Sequence, residues 1–170
     1  MQIPIMRIRP ASTKVSRSLP AVVAAMLLLS AGGASGQAPP VEYAVKFVCG
    51  RAVQDRTTPV ATGFYYTDIN VHNPNTAGIE FKKKFAVALP NQKPGPVSQF
   101  FSAALKPDEA FSVDCFEILK RLGLSPSNFV TGFAVFQTTR ELDVVAVYTA
   151  AASPSSSVVT MHMERVPKRP

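Results

Sequence analysis

From residue 43 onward, apolar and polar residues alternate over short runs, the pattern of strands with one buried face. Tyr43, Val45, Phe47 and Cys49 share one face of a first strand. Over 63–73, Tyr65, Thr67, Ile69 and Val71 alternate with Phe64, Tyr66, Asp68, Asn70 and His72. The run 73–78 is dense in turn formers and predicts a hairpin. The strand after it turns Ile79, Phe81, Phe85, Val87 and Leu89 inward and Glu80, Lys82 and Lys84 outward. Pro90, Pro94 and Pro96 make 90–97 a loop, and strands are predicted over 98–105 and 110–114. One helix follows, with Asp114 as N-cap, Glu117 as its capping-box partner and Gly123 as its stop. Phe116, Leu119 and Leu122 form its expected apolar side. Strands over 129–138, 142–151 and 157–166 complete the set, and valine-rich 143–148 predicts burial on both faces. The expected fold is all-β, an antiparallel immunoglobulin-like β-sandwich of about seven strands with one short helix. With no tryptophan, it lacks the core residue of a true antibody-type domain.

The N-terminus follows different rules. Arg7, Arg9, Lys14 and Arg17 precede the apolar run 19–29, which ends in the small-residue stretch 30–36. A basic region, a short apolar core and small residues at the −3 and −1 positions (here Ala34 and Gly36) describe a secretory signal cleaved before Gln37. The run is shorter than the roughly 20 residues a bilayer requires. The expected organisation is a signal peptide over 1–36, a lead-in over 37–42, a β domain over 43–166 and an exposed tail over 167–170. Removing the signal changes the electrostatics. The whole chain carries 18 basic and 11 acidic residues, +7. Residues 37–170 retain fourteen basic and eleven acidic ones, only +3. That balance, without a recognisable motif, argues against specific nucleic-acid binding.

An exported chain with two cysteines, Cys49 and Cys115, is expected to pair them. Their separation lacks the Cys-X-X-Cys spacing that lowers a thiol pKa, so the pair reads as structural. No catalytic or cofactor motif stands in the sequence, and no cofactor is expected. His72 shares a strand face with Asp68 and Asn70, which can orient an imidazole, or the three form a plain polar face. Met161, His162 and Met163 offer thioether and imidazole ligands suited to copper. On a strand the two methionines point away from His162, so a metal site needs His162 to meet His72, or a third ligand to join the methionines. Methionines packed in the core are the alternative. Lys82, Lys83 and Lys84 are the one dense charge cluster, a candidate anion site or a solvated edge. Alternation puts Lys83 inward, which calls for a bulge, a snorkelling stem or a sheet-edge position.

Four segments carry a resemblance: Tyr43-Ala-Val-Lys-Phe-Val-Cys-Gly50, Thr67-Asp-Ile-Asn-Val-His-Asn-Pro74, Val113-Asp-Cys-Phe-Glu-Ile118 and Leu142-Asp-Val-Val-Ala-Val-Tyr-Thr-Ala150. Together they resemble a family of small exported bacterial β-sandwich proteins, which implies the fold and compartment but no activity or site residue. The order of strands and turns also resembles that of the small β-sandwich proteins associated with microbial sensory rhodopsins. Those lack an export signal and this cysteine pair. The functional expectation is an exported, non-enzymatic binding or envelope-associated module whose partner is an envelope protein or glycan. A copper-handling protein and an enzyme of unfamiliar site are the alternatives.

Overall fold

A computed structural model describes residues 40–53, 60–153, 157–158 and 160–169. The expected signal peptide and its cleavage point lie outside the described residues. The fold is all-β and antiparallel, with one short helix among the described residues. Nine strands form among the described residues, where the alternation predicts about seven. They are β1 (Val41–Ala52), β2 (Gly63–His72), β3 (Ile79–Ala88), β4 (Pro94–Val97), β5 (Phe101–Leu105), β6 (Ala110–Asp114), β7 (Val130–Thr138), β8 (Asp143–Ala151) and β9 (Thr160–Arg165), with α1 (Cys115–Leu122) between β6 and β7. The unforeseen strand is β4, inside the expected proline loop. It pairs with the end of β3 through a register shift between Ala86 and Ala88. Proline is tolerated there because β4 is an edge strand.

The ladder runs β4-β3-β7-β1-β2-β8-β9, with β5 also on β3 and β6 also on β2. It is one continuous hydrogen-bonded path. From Val41 to Cys49, β1 pairs with β7; from Gly50 to Ala52 it pairs with β2. Gly50 makes that transfer at φ 93°, and a side chain there would meet the Asn128 carbonyl oxygen at 2.0 Å. The two halves share one core. Phe47, Phe85 and Phe136 from the first half and Ile69, Val71 and Val144 from the second are all less than 2% exposed. Phe81 of β3 stacks on Phe111 of β6 with centroids 5.5 Å apart, and the Leu142 N–H donates to the Tyr43 hydroxyl at 2.9 Å. Leu89, expected inward, lies past the end of β3 and is 43% exposed. In β8, Val144 and Ala146 are buried while Val145 and Val147 are only half-buried, so burial is on one face rather than two.

Cys49 and Cys115 form a disulfide. It joins β1 just before its transfer to the first residue of α1, and the Thr67 N–H donates to Cys115 Sγ at 3.1 Å. The helix begins and ends as predicted: Asp114 Oδ1 accepts from the Glu117 N–H at 2.8 Å, and Gly123 caps the other end at φ 67°. Its apolar face is different. Cys115, Ile118 and Leu119 are buried, whereas Phe116 is 63% exposed. The disulfide points Cys115 into the core, and the next helical residue is turned by about 100° toward solvent. The expected capping box is half formed, because the Glu117 carboxylate is drawn to Lys83 and Arg121. Near the C-terminus, Arg169 donates its N–H to the Glu42 carbonyl oxygen at 2.7 Å, tying the expected tail to β1. No helix among the described residues is long and apolar enough to cross a membrane.

Candidate functional site

The lysine triplet divides between the two faces of β3. Lys83 points inward and is 8% exposed, and the β3–β7 register runs unbroken through it without a bulge. Its ammonium lies 3.5 Å from Glu117 Oε1 and 4.9 Å from the centre of the Phe111 ring. Burial is the main influence on its pKa and lowers it, with Glu117 opposing. The Glu117 carboxyl is held below its ordinary range, chiefly by the hydrogen bond from Arg121 at 2.9 Å. Lys83 is therefore a buried clamp between β3 and α1, and of the triplet only Lys82 and Lys84 share the outer face of β3.

Lys82 and Lys84 belong to a different constellation on the outer face of β3, β7 and β1. Strand register builds it row by row. In one row Lys82 stands beside Gln137, which stands beside Glu42; Ser102 of β5 lies on the other side of Lys82. In the next row Lys84 stands beside Val135 and Ala44, and in the third Ala86 beside Phe133 and Lys46. The Lys84 ammonium sits 4.6 Å from the centre of the Phe100 ring, and that of Lys46 5.8 Å from Phe133. Both rings remain about two-fifths exposed, at 41% and 40%. From strand spacing and rise, Lys82 and Lys84 are about 7 Å apart and Lys84 and Lys46 about 12 Å apart at their Cα atoms.

A groove of about 870 Å³ continues the face at its Lys82 end, lined among others by Lys82, Ser102, Gln137, Thr139 and Arg140. Among the described residues no carboxylate is ion-paired with Lys46, Lys82, Lys84 or Arg140. Glu42, the acid in the Lys82 row, is taken by Gln137 Nε2 at 2.9 Å and by Arg169 at 3.1 Å. Four cations, a hydroxyl, an amide and two partly exposed rings, each with an ammonium over it, thus share one surface with a single further carboxylate among the described residues, that of Glu80, which also lines the groove. Such groups bind and orient an anion with a flat apolar side.

The other candidates are arranged differently. His72 lies at the end of β2 opposite Asp143, its Nδ1 3.4 Å from Asp143 Oδ2 and its Nε2 3.9 Å from Asp108. Asp143 is itself bound by Arg165. Farther along the same face, Asp68 accepts from Ser112 and from Asn70, and the Tyr66 hydroxyl donates to Asp114 at 2.8 Å. Burial, with help from Asp114, pushes the Tyr66 phenol up to about 12. This face is a polar network whose groups bond one another. His162 pairs with Tyr148 and His72 with Asp143, five residues apart along β8 and on opposite faces of it, so the two imidazoles do not meet. Met161 and Met163 are 70% and 67% exposed on β9, not packed in the core. Among the described residues, no three His, Cys, Asp or Glu side chains are grouped so as to hold a metal ion. An open apolar cavity of about 400 Å³ lies beside α1, with Tyr66, Phe116, Leu119 and Val158 in its wall.

Lys46, Phe100, Phe133 and Arg140 were not singled out by the sequence. Alternation puts Lys46 and Phe133 on the polar faces of their strands, a weak signal. Only the register of strands 87 positions apart makes them neighbours. No protein-family model, curated protein or solved structure matches the chain.

Proposed function

We propose that the protein is an exported, non-enzymatic binding module that holds an acidic polysaccharide against the outer face of β1, β7 and β3. One observation carries this reading. Lys46, Lys82, Lys84 and Arg140 lack ion-paired carboxylates among the described residues, while Phe100 and Phe133, each about two-fifths exposed, lie under the ammonium groups of Lys84 and Lys46. A sugar ring offers a flat C–H face to an aromatic ring, and its carboxylate or phosphate goes to the ammonium beside it. Ser102 and Gln137 add donors for hydroxyl groups. The disulfide and the expected export segment over 1–36 support an oxidising compartment, and the balance of only +3 over 37–170 argues against nucleic acid as the polyanion. The two phenylalanines lie beneath ammonium groups, Phe133 within β7 and Phe100 just before β5, which suits an extended polymer better than insertion into a bilayer.

Calorimetric titration with a polyuronate, a neutral glucan of similar length and vesicles containing anionic lipid tests the reading. Binding to the polyuronate is expected, weakening as salt screens the exposed charges. The triple variant Lys46→Ala, Lys82→Ala, Lys84→Ala should lose about tenfold or more, since exposed charge contacts contribute roughly 0.2–1 kcal/mol each. Equal affinity for the neutral glucan, tighter binding to the vesicles, or an unaffected triple variant would each refute it.

A further inference from the structure

The two ends of the ladder are finished differently. At one end β4 carries Pro94, Pro96 and a register shift, devices that stop an edge from pairing with another chain. At the other end β9 carries none of them. Its sequence, Thr160-Met-His-Met-Glu-Arg165, has neither proline nor lysine, and it runs in unbroken register along β8. All six residues are exposed, and no strand among the described residues pairs with its far edge.

The backbone direction along that edge follows from one hydrogen bond. The Val166 N–H donates to the Val144 carbonyl oxygen at 2.8 Å, so these two form a hydrogen-bonded pair. Antiparallel pairs alternate, so Glu164 and His162 also turn their backbone groups toward β8. Arg165, Met163 and Met161 turn theirs toward the open edge.

A second copy related by a two-fold axis normal to the sheet can meet this edge in three nearby registers. Centred on His162, the strand opposes imidazole to imidazole; centred on Glu164, carboxylate to carboxylate. Centred on Met163, it sets His162 opposite Glu164 of the second copy twice, in the non-hydrogen-bonded positions where side chains approach most closely. That register alone engages all three edge-facing residues, and it covers the exposed Met163 side chain with its own twin. We infer that the protein forms a two-fold dimer in which β9 pairs antiparallel with β9 of a second copy in the register centred on Met163.

Sedimentation equilibrium on the full chain, disulfide intact, over about 1–100 μM tests this. The expected mass is that of two chains. Met163→Pro removes an edge-facing N–H and no bond to β8, so it should give a folded monomer. Glu164→Arg or His162→Glu should weaken the dimer about tenfold, and the double exchange should recover most of that loss. Hydrogen exchange at Met161, Met163 and Arg165 should slow as protein concentration rises. A monomer at the highest concentration, or a dimer indifferent to the charge reversals, overturns the inference. So does protection independent of concentration, which would assign the edge to another segment of the same chain. If Met163→Pro does not fold, the charge-reversal set decides alone.

Discussion

Lys83 shows what a single residue must do to remain ionised inside a sheet. Its side chain is 10% exposed, and its ammonium has Glu117 on one side and the Phe111 ring on the other. Removing Glu117 leaves that charge with only the ring. Glu117→Gln should cost about 3 kcal/mol, as breaking a buried pair does. Lys83→Met removes the buried charge itself and leaves Glu117 with Arg121, so it should be close to neutral or stabilising by about 1 kcal/mol. Urea denaturation of both variants checks the asymmetry; equal losses would contradict it. Alternation along 79–89 was enough to aim Lys83 inward. It could not reveal what compensates it, because Glu117 and Phe111 lie on later elements brought over β3 by the fold. At alkaline pH, tyrosines act in a definite direction. The Tyr66 phenol keeps its proton in the folded state up to about 12, against an ordinary value of 10.0, and burial raises Tyr148 too. The folded state therefore binds more protons above pH 10, and the stability these groups contribute below that point is lost as pH rises through 12. Lys83 works in the opposite sense, since its lowered pKa makes folding easier as pH rises toward 10.5. Tyr66→Phe with Tyr148→Phe should remove the tyrosine loss and expose the lysine gain in denaturation curves taken above pH 9.

At the scale of elements, β1 decides the topology by changing partners at Gly50. Gly50→Ala places a methyl group on the Asn128 carbonyl and a side chain at φ 93°, and should cost about 3 kcal/mol or more. Gly123→Ala shares the positive φ, at 67°, but meets no atom within 4 Å and should cost only about 1 kcal/mol. The contrast separates the close approach from the backbone strain, and equal costs in urea denaturation would show that Asn128 moves aside. Strand content was readable from the sequence because period-two alternation reports burial directly. Strand order was not. Nothing local in β7 announces that it lies between β3 and β1, and β4 was hidden by prolines that disfavour strands generally but are harmless at an edge. The helix shows the same limit: its caps were plain at Asp114 and Gly123, but its rotation was fixed by Cys115, whose partner is 66 residues away. The basic face has this origin too, since Lys46, Lys84, Phe100 and Phe133 come from separate parts of the chain.

For the whole molecule, the disulfide is where compartment and stability meet. Cys49 and Cys115 are 0% and 3% exposed, so the bridge is a core element as well as a covalent one. Closing a loop of that length reduces the freedom of the unfolded chain by about 4 kcal/mol in the chain-entropy model. A domain of this size is typically stable by only about 5–15 kcal/mol, so the bridge is a large share of the margin. Reduction should therefore lower the urea midpoint sharply without altering the native ladder. The double variant Cys49→Ala, Cys115→Ala should fall further, because it also opens space in the core and removes the sulfur that accepts from the Thr67 N–H. If the reduced protein unfolds at the same midpoint as the oxidised one, the bridge adds nothing and the case for an oxidising compartment loses its structural support. Amino-terminal sequencing of the protein recovered from its host supplies the independent half of that case, with Gln37 expected as the first residue. With Gln37 as the first residue the chain carries +3, placed on defined surfaces rather than as a general excess, so salt should weaken the proposed binding at the Lys46–Lys82–Lys84 face while leaving the disulfide's contribution to stability unchanged.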